Sequence, residues 1–175
     1  MALMNRWAIP MAAAALMAGG AAQAQIAGNS SAPIDITADE AEVINSQCLA
    51  IWRGDAEALQ ARTRLRAQVI RVHSRKEGDG CGSTERLEAE GRVYYVTAGR
   101  AVRADSAVYA AGSDTITLTG DVIVVEGRNV ARGDRLVVNV ETGQAQMSSN
   151  AKGRNRPGRV RGVFYPSGDQ PAGSR

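Results

Sequence analysis

Four segments of the chain echo one another, and no other feature constrains the fold as much. They begin at Ile36, Leu65, Val102 and Ala131; the first and last steps are 29 residues and the middle one is eight residues longer. The extra residues fall within the polar stretch Ser74 to Arg86. Repetition at a period of about 20–50 residues marks stacked architectures, in which no single unit buries its apolar face alone.

Each unit has a small residue followed by a polar one at its third and fourth positions: Ala38-Asp39, Ala67-Gln68, Ala104-Asp105 and Gly133-Asp134. A Gly comes later, at Gly54, Gly91 and Gly120, with Ser149 in its place in the fourth unit. Apolar and polar residues alternate around it. Trp52, Ile116, Leu118 and Met147 lie on the apolar phase before the Gly, and Val93, Tyr95, Val122 and Val124 after it. Ala151 and Gly153 extend that phase in the fourth unit, and Leu136 and Val138 hold it in the same unit's first half. Arg53, Glu88, Glu90, Thr117 and Asp121 occupy the other phase. Strict period two describes half-buried strands. The apolar phase slips by one near the Ala-Asp position, which needs a bulge or a corner, and a Gly on the inward row points to a bend or a close backbone approach. Each unit is expected to be two bent strand segments joined by a turn. Stacked units give an all-β, solenoid-like roll or open sandwich of bent antiparallel strands. An ordinary β-sandwich with chance similarity is the competing expectation, and the common register of four units weighs against it.

Met1 to Ala24 reads as a secretory signal. Arg6 supplies the basic start, Trp7 to Ala18 the apolar run, and Ala22-Gln23-Ala24 the cleavage site, so the mature chain is expected to begin at Gln25. The run is short and Ala-rich for a membrane span. The expected divisions are a signal at 1–24, an N-terminal segment at 25–35, one β domain at 36–165 and a disordered tail at 166–175. Val160-Arg161-Gly162 resembles the start of a fifth unit, continuing through Val163, Phe164 and Tyr165 to Pro166. Charge is unevenly placed: residues 25–149 hold 14 Lys+Arg against 17 Asp+Glu, whereas 150–175 hold six against one. The basic cluster Lys152, Arg154, Arg156, Arg159 and Arg161 follows an acidic body, which makes nucleic acid a poor partner for an exported chain. An anionic lipid headgroup, an acidic protein surface or plain solvation fits better.

Cys48 and Cys81 both fall in turns between the halves of their units. Stacking places equivalent turns side by side and export permits oxidation, so a Cys48–Cys81 bridge is expected over two free thiols. Little points to catalysis. His73 stands apart from metal-spaced ligands, and no nucleophile elbow or phosphate-binding loop is present. Asp39, Asp105 and Asp134 recur at one position of the repeat, which favours a turn or bulge hydrogen bond over a carboxylate pair for acid–base work.

The units of form A-D-x-A and G-x-V-x-V resemble the OstA-like family of lipopolysaccharide transport proteins. The residues that carry the resemblance are Ile36-Thr37-Ala38-Asp39-Glu40-Ala41, Leu118-Thr119-Gly120-Asp121-Val122 and Val160-Arg161-Gly162-Val163-Phe164. The two cysteines and the insertion at 74–86 depart from that pattern. The resemblance implies a repetitive twisted β-jellyroll, open at both ends, acting in the periplasm without catalysis, cofactor or metal. It implies lipopolysaccharide as cargo, with lipid A acyl chains inside the roll. The implied lipid-facing residues are Trp52, Val93, Tyr95, Ile116, Leu118, Val122, Val124, Leu136, Val138 and Met147. Implied protein partners are LptC-like inner-membrane and LptD-like outer-membrane proteins of the same fold, besides head-to-tail self-association. Ile36 and Ala38 at one end, and Val160, Val163 and Phe164 at the other, are the implied partner edges. The inward row is rich in small residues, among them Ala56, Ala58, Ala89 and Ala104. Such a lining either leaves room for acyl chains or lets the two layers pack closely. Two other functions compete: a structural β-solenoid that assembles without lipid, and an exported carbohydrate-active β-helix enzyme.

Overall fold

The computed structural model describes residues 26, 32–151, 153 and 157–166. The signal sequence, most of the basic cluster and the tail beyond Pro166 lie outside the described residues. The strands are β1 (Asp35–Thr37), β2 (Glu40–Ile44), β3 (Leu49–Gln60), β4 (Thr63–Glu77), β5 (Gly80–Val96), β6 (Ala101–Ala110), β7 (Thr115–Glu126), β8 (Asn129–Asn139), β9 (Ala145–Ser148) and β10 (Arg161–Val163). They form one antiparallel sheet in the order β1-β3-β4-β5-β6-β7-β8-β10, with β2 also on β3 and β9 also on β8. From β2 through β9 successive strands are neighbours, as short hairpin connections favour. The sheet folds over along its middle into a twisted β-jellyroll, open at both ends, and one apolar core fills the space between the two layers.

The repeat appears directly in the register. Ile36, Ala58, Leu65, Tyr95, Val102, Val124, Ala131 and Gly162 stand opposite one another on successive strands, so all four repeat starts lie in one cross-strand row. The corner is equally regular. Register shifts fall between Arg53 and Ala56, Glu90 and Val93, and Thr119 and Val122. At each, two successive residues take positive φ: Gly54 and Asp55 (82° and 42°), Gly91 and Arg92 (82° and 50°), Gly120 and Asp121 (82° and 40°). This is a bulge that bends the strand and carries the inward phase across the bend.

The Ala-Asp and Gly positions of the repeat are two halves of one contact. A Cβ added to Gly54 would land on the Asp39 carboxylate, one on Gly91 against Gln68, and one on Gly120 on the Asp105 carboxylate. The Asp39 N–H donates to the Gly54 carbonyl at 3.1 Å. In the fourth unit the Ser149 hydroxyl and the Asn150 N–H donate to Asp134 Oδ2 at 2.7 and 2.8 Å. The recurring carboxylates therefore brace the corner.

Two expectations are corrected. β10 is no fifth unit: it runs antiparallel to β8, with Gly162 opposite Ala131. It takes the place that the return strand of unit four would fill after the corner. Ala151 and Gly153, expected to continue that strand, lie instead in an excursion between Ser149 and β10. Within the insertion at 74–86, β4 and β5 extend as a hairpin to Glu77 and Gly80. On β2, Ala41 and Val43 pair with Trp52 and Ala50 yet are exposed. At the open end of the roll β2 has no opposite layer to cover it.

Candidate functional site

The interior of the roll is the candidate site, and alternation is what builds it. Val93, Ile116, Leu118, Val122 and Leu136 are buried in the core. Trp52, Tyr95, Val124, Val138 and Met147 are partly buried and pack against it. The ten residues thus line one interior. Burying each large aliphatic side chain contributes on the order of 1.5–3 kcal/mol, so this lining is also the chief source of stability.

The small residues act differently at different depths. Ala56, Ala58, Ala89 and Ala104 are buried where the layers meet. Beside them, the space left among Leu65, Leu87, Tyr95, Ala107, Tyr109 and Ile116 is about 10 Å³, less than a water fills comfortably. Small side chains in the middle of the roll therefore let the layers close. Toward the C-terminal end the interior opens into a pocket of about 320 Å³, walled by Val124, Ala131, Leu136, Met147 and Phe164. Its rim is polar, formed by Arg100, Glu126 and Asn129, with Arg100 and Glu126 paired at 3.0 Å. An apolar chamber with a charged rim has the two-part polarity of an amphiphile.

Ile26 was not legible as part of this interior. It is buried against the core. Its N–H donates to Gln60 Oε1 at 2.8 Å, and its carbonyl accepts from the Tyr95 hydroxyl at 2.9 Å. Burial raises the Tyr95 phenol above its ordinary range, against an opposing effect of Arg100, and so keeps it a donor. Gln60, itself buried, donates onward to the Ala32 carbonyl at 3.0 Å. No periodicity marks this segment, because it belongs to no unit of the repeat.

The sheet ends are where the repeat places them. β1 and β2, with Ile36 on β1 and Ala38 just beyond it, bound one end; β9 and β10 bound the other. Val160, Val163 and Phe164 are exposed beside that second edge. Tyr165 anchors the C-terminal segment to β8: its N–H donates to Asn129 Oδ1 at 2.9 Å, and the Arg128 guanidinium sits 4.1 Å over its ring. Cys48 and Cys81 form a disulfide across 33 residues, with Cα atoms 5.4 Å apart. It ties the turn after β2 to the extended hairpin, as the stacking of equivalent turns requires.

Asp134 is the corner carboxylate whose titration is perturbed. The Asn150 N–H first, and the Ser149 hydroxyl second, hold it below the ordinary carboxylate range. A depressed value in the fold means that its contribution is present above about pH 4 and is lost as pH falls further. His73 lies 3.7 Å from the Glu88 carboxylate. Among the described residues no group of His, Cys, Asp or Glu is placed to hold a metal ion.

Comparison with known proteins agrees with this geometry. Residues 35–144 match the family described as LptA/(LptD N-terminal domain) LPS transport protein. An uncharacterized protein of Rhizobium meliloti (strain 1021) is 29% identical over 122 residues, covering 67% of this chain and 66% of the relative. The match thus spans about two thirds of that relative's length. Among solved structures, LptH of Pseudomonas aeruginosa, titled the LptA homologous periplasmic component of a lipopolysaccharide transport device, is similar at a TM-score of 0.65 and 19% identity. That likeness covers 77% of this chain and 96% of the other, and it is a likeness of fold.

Proposed function

From the premise that this chain belongs to the LptA/LptD N-terminal domain family of lipopolysaccharide transport proteins, we propose that it is a periplasmic carrier of the LptA type. It shelters the acyl chains of lipopolysaccharide between the layers of its roll and passes them along a bridge of like-folded domains. The observation that carries this reading is the amphipathic mouth at the C-terminal end. Its apolar walls run into the inward row of the repeat, and its charged rim faces water. An acyl chain enters from that mouth and the layers part around it, exchanging contacts with the small residues between them for contacts with the chain. LptC-like and LptD-like domains add their edge strands at the two ends of the sheet, where backbone groups are open to pairing.

Photo-crosslinking tests the reading. Benzophenone side chains in place of Leu118, Val124, Leu136 or Met147 are expected to label lipopolysaccharide in cells, and ones in place of Thr117 or Asp121 are not. Equal labelling of both sets would sink the carrier reading. Silence at all positions, with self-association intact, would favour an assembly module without cargo.

A further inference from the structure

The outer surface of one layer is unlike that of the other. On strands β4 to β8 and β10, the residues that alternate with the inward row form two outward rows. In the first, Arg66, Tyr94, Arg103, Ile123, Arg132 and Arg161 stand opposite one another on successive strands. In the second, one step nearer the hairpin ends, stand Val96, Ala101, Val125, Val130 and Val163. The valines of this row are 38%, 39%, 38% and 42% exposed in chain order, and Tyr94 is 45% exposed. With strands about 4.8 Å apart, the apolar row is a continuous stripe about 20 Å long. A row of arginines runs beside it with Tyr94 and Ile123 interleaved.

Neither composition nor the core explains this arrangement. An outward β position away from a partner is ordinarily polar, and here valines recur on four of five adjacent strands. The acidic groups on the face are few and engaged: Glu57 lies 3.2 Å from Arg66, and Asp121 pairs with Arg132. The outer face of the other layer instead mixes signs, with Glu42 on Arg53, Glu90 on Arg71 and Glu88 on Arg86.

We propose that this face docks the protein on an anionic phospholipid bilayer. Arginines meet lipid phosphates, and the valine stripe with Tyr94 settles into the headgroup boundary, as amphipathic surfaces with basic flanks do. Charge complementarity selects anionic over zwitterionic lipid. The shape favours a flat, extended surface over a peptide strand, because the stripe crosses the strands and lies on the sheet's face, away from its pairing edges. The carrier reading is not a premise here: Val130 also borders the mouth pocket, but Val96, Ala101, Val125, Val163 and the arginine row do not. Docking would hold the mouth and the chain's edge strands close to a membrane surface.

The test is co-sedimentation of the full chain, exported and oxidised, with vesicles that contain no lipopolysaccharide. Phosphatidylcholine vesicles carrying phosphatidylglycerol are expected to bind it at low salt and to release it as salt rises; vesicles of phosphatidylcholine alone are not. The variant Arg103→Glu with Arg161→Glu is expected to bind at least about tenfold more weakly. Val96→Ser with Val125→Ser, neither of which lines the mouth pocket, is expected to weaken binding while preserving its salt dependence. Arg135→Glu, outward on the other layer, serves as control and is expected to bind as the parent does. Three results would overturn the proposal: no sedimentation of the parent with anionic vesicles, equal sedimentation with neutral ones, or unchanged binding of the arginine variant. Capture of an acidic protein in place of vesicles would overturn it too. The carrier reading fails separately, through loss of interior crosslinking in protein that still binds vesicles.

Discussion

Gly120 and Asp105 show how little freedom the corner residues have. Gly120 holds φ at 82°, and the Asp105 side chain occupies the space a Cβ would need. Gly120→Ala therefore incurs both a left-handed backbone penalty and displacement of the bracing carboxylate. We expect a loss of about 2 kcal/mol or more, seen as a lower urea midpoint at unchanged slope. Gly99→Ala, where nothing lies within 4 Å of the added carbon, is the matched control and should stay near the parent. Equal midpoints for the two variants would mean that the corner relaxes freely. The sequence showed the Gly and the Asp as separate recurring positions. That they touch was not legible, because contact across a bulge depends on which residue takes the extra place in the ladder.

Among the elements, the extended β4–β5 hairpin carries the clearest consequence. Its tip reaches beyond the units on either side, and the Cys48–Cys81 bridge, beside the Ser74 N–H donated to the Cys48 carbonyl at 2.8 Å, ties it to the turn after β2. Closing 33 residues restricts the unfolded chain by about 3–4 kcal/mol in the entropy model. Cys48→Ala with Cys81→Ala is expected to lose stability of that order in chemical denaturation and to become sensitive to protease within 74–86. A loss below about 1 kcal/mol would show that strand pairing alone holds the hairpin. β10 teaches a different lesson. Its apolar residues looked like a new unit, but three residues of antiparallel pairing with β8 complete an old one. A motif of that length fits either end of a unit, and only the chain's path back from Ser149 selects between them.

For the molecule as a whole, the two ends of the sheet are chemically different. One is β1 with β2; the other is β9 with β10 and the exposed Phe164. Under the proposed bridging, ends that differ join head to tail, and such contacts continue rather than close. Sedimentation or light scattering is expected to show size rising smoothly with concentration. Deleting residues 160–175 is expected to reduce that association while leaving far-UV β signal largely unchanged, since the described residues of the segment contribute three strand residues and no buried core side chain. A truncated chain that associates at full strength would move the contact elsewhere.

The sequence alone determined what is periodic. Alternation set which side chains face inward, and the register of the four units marked the corners. The offset between equivalent turns brought Cys48 near Cys81. These follow because a strand's side-chain period is fixed by backbone geometry and stacking makes equivalent positions neighbours. Tertiary structure decided what periodicity leaves open. Whether alanine lining means space or contact depends on how far apart the layers sit, and they close in the middle while opening at the C-terminal mouth. Ile26 finds the core from outside the repeat through two hydrogen bonds that no pattern encodes. The arginine and valine rows of the outer face arise from cross-strand register. Residues distant in the chain become one surface only when the ladder brings them into line.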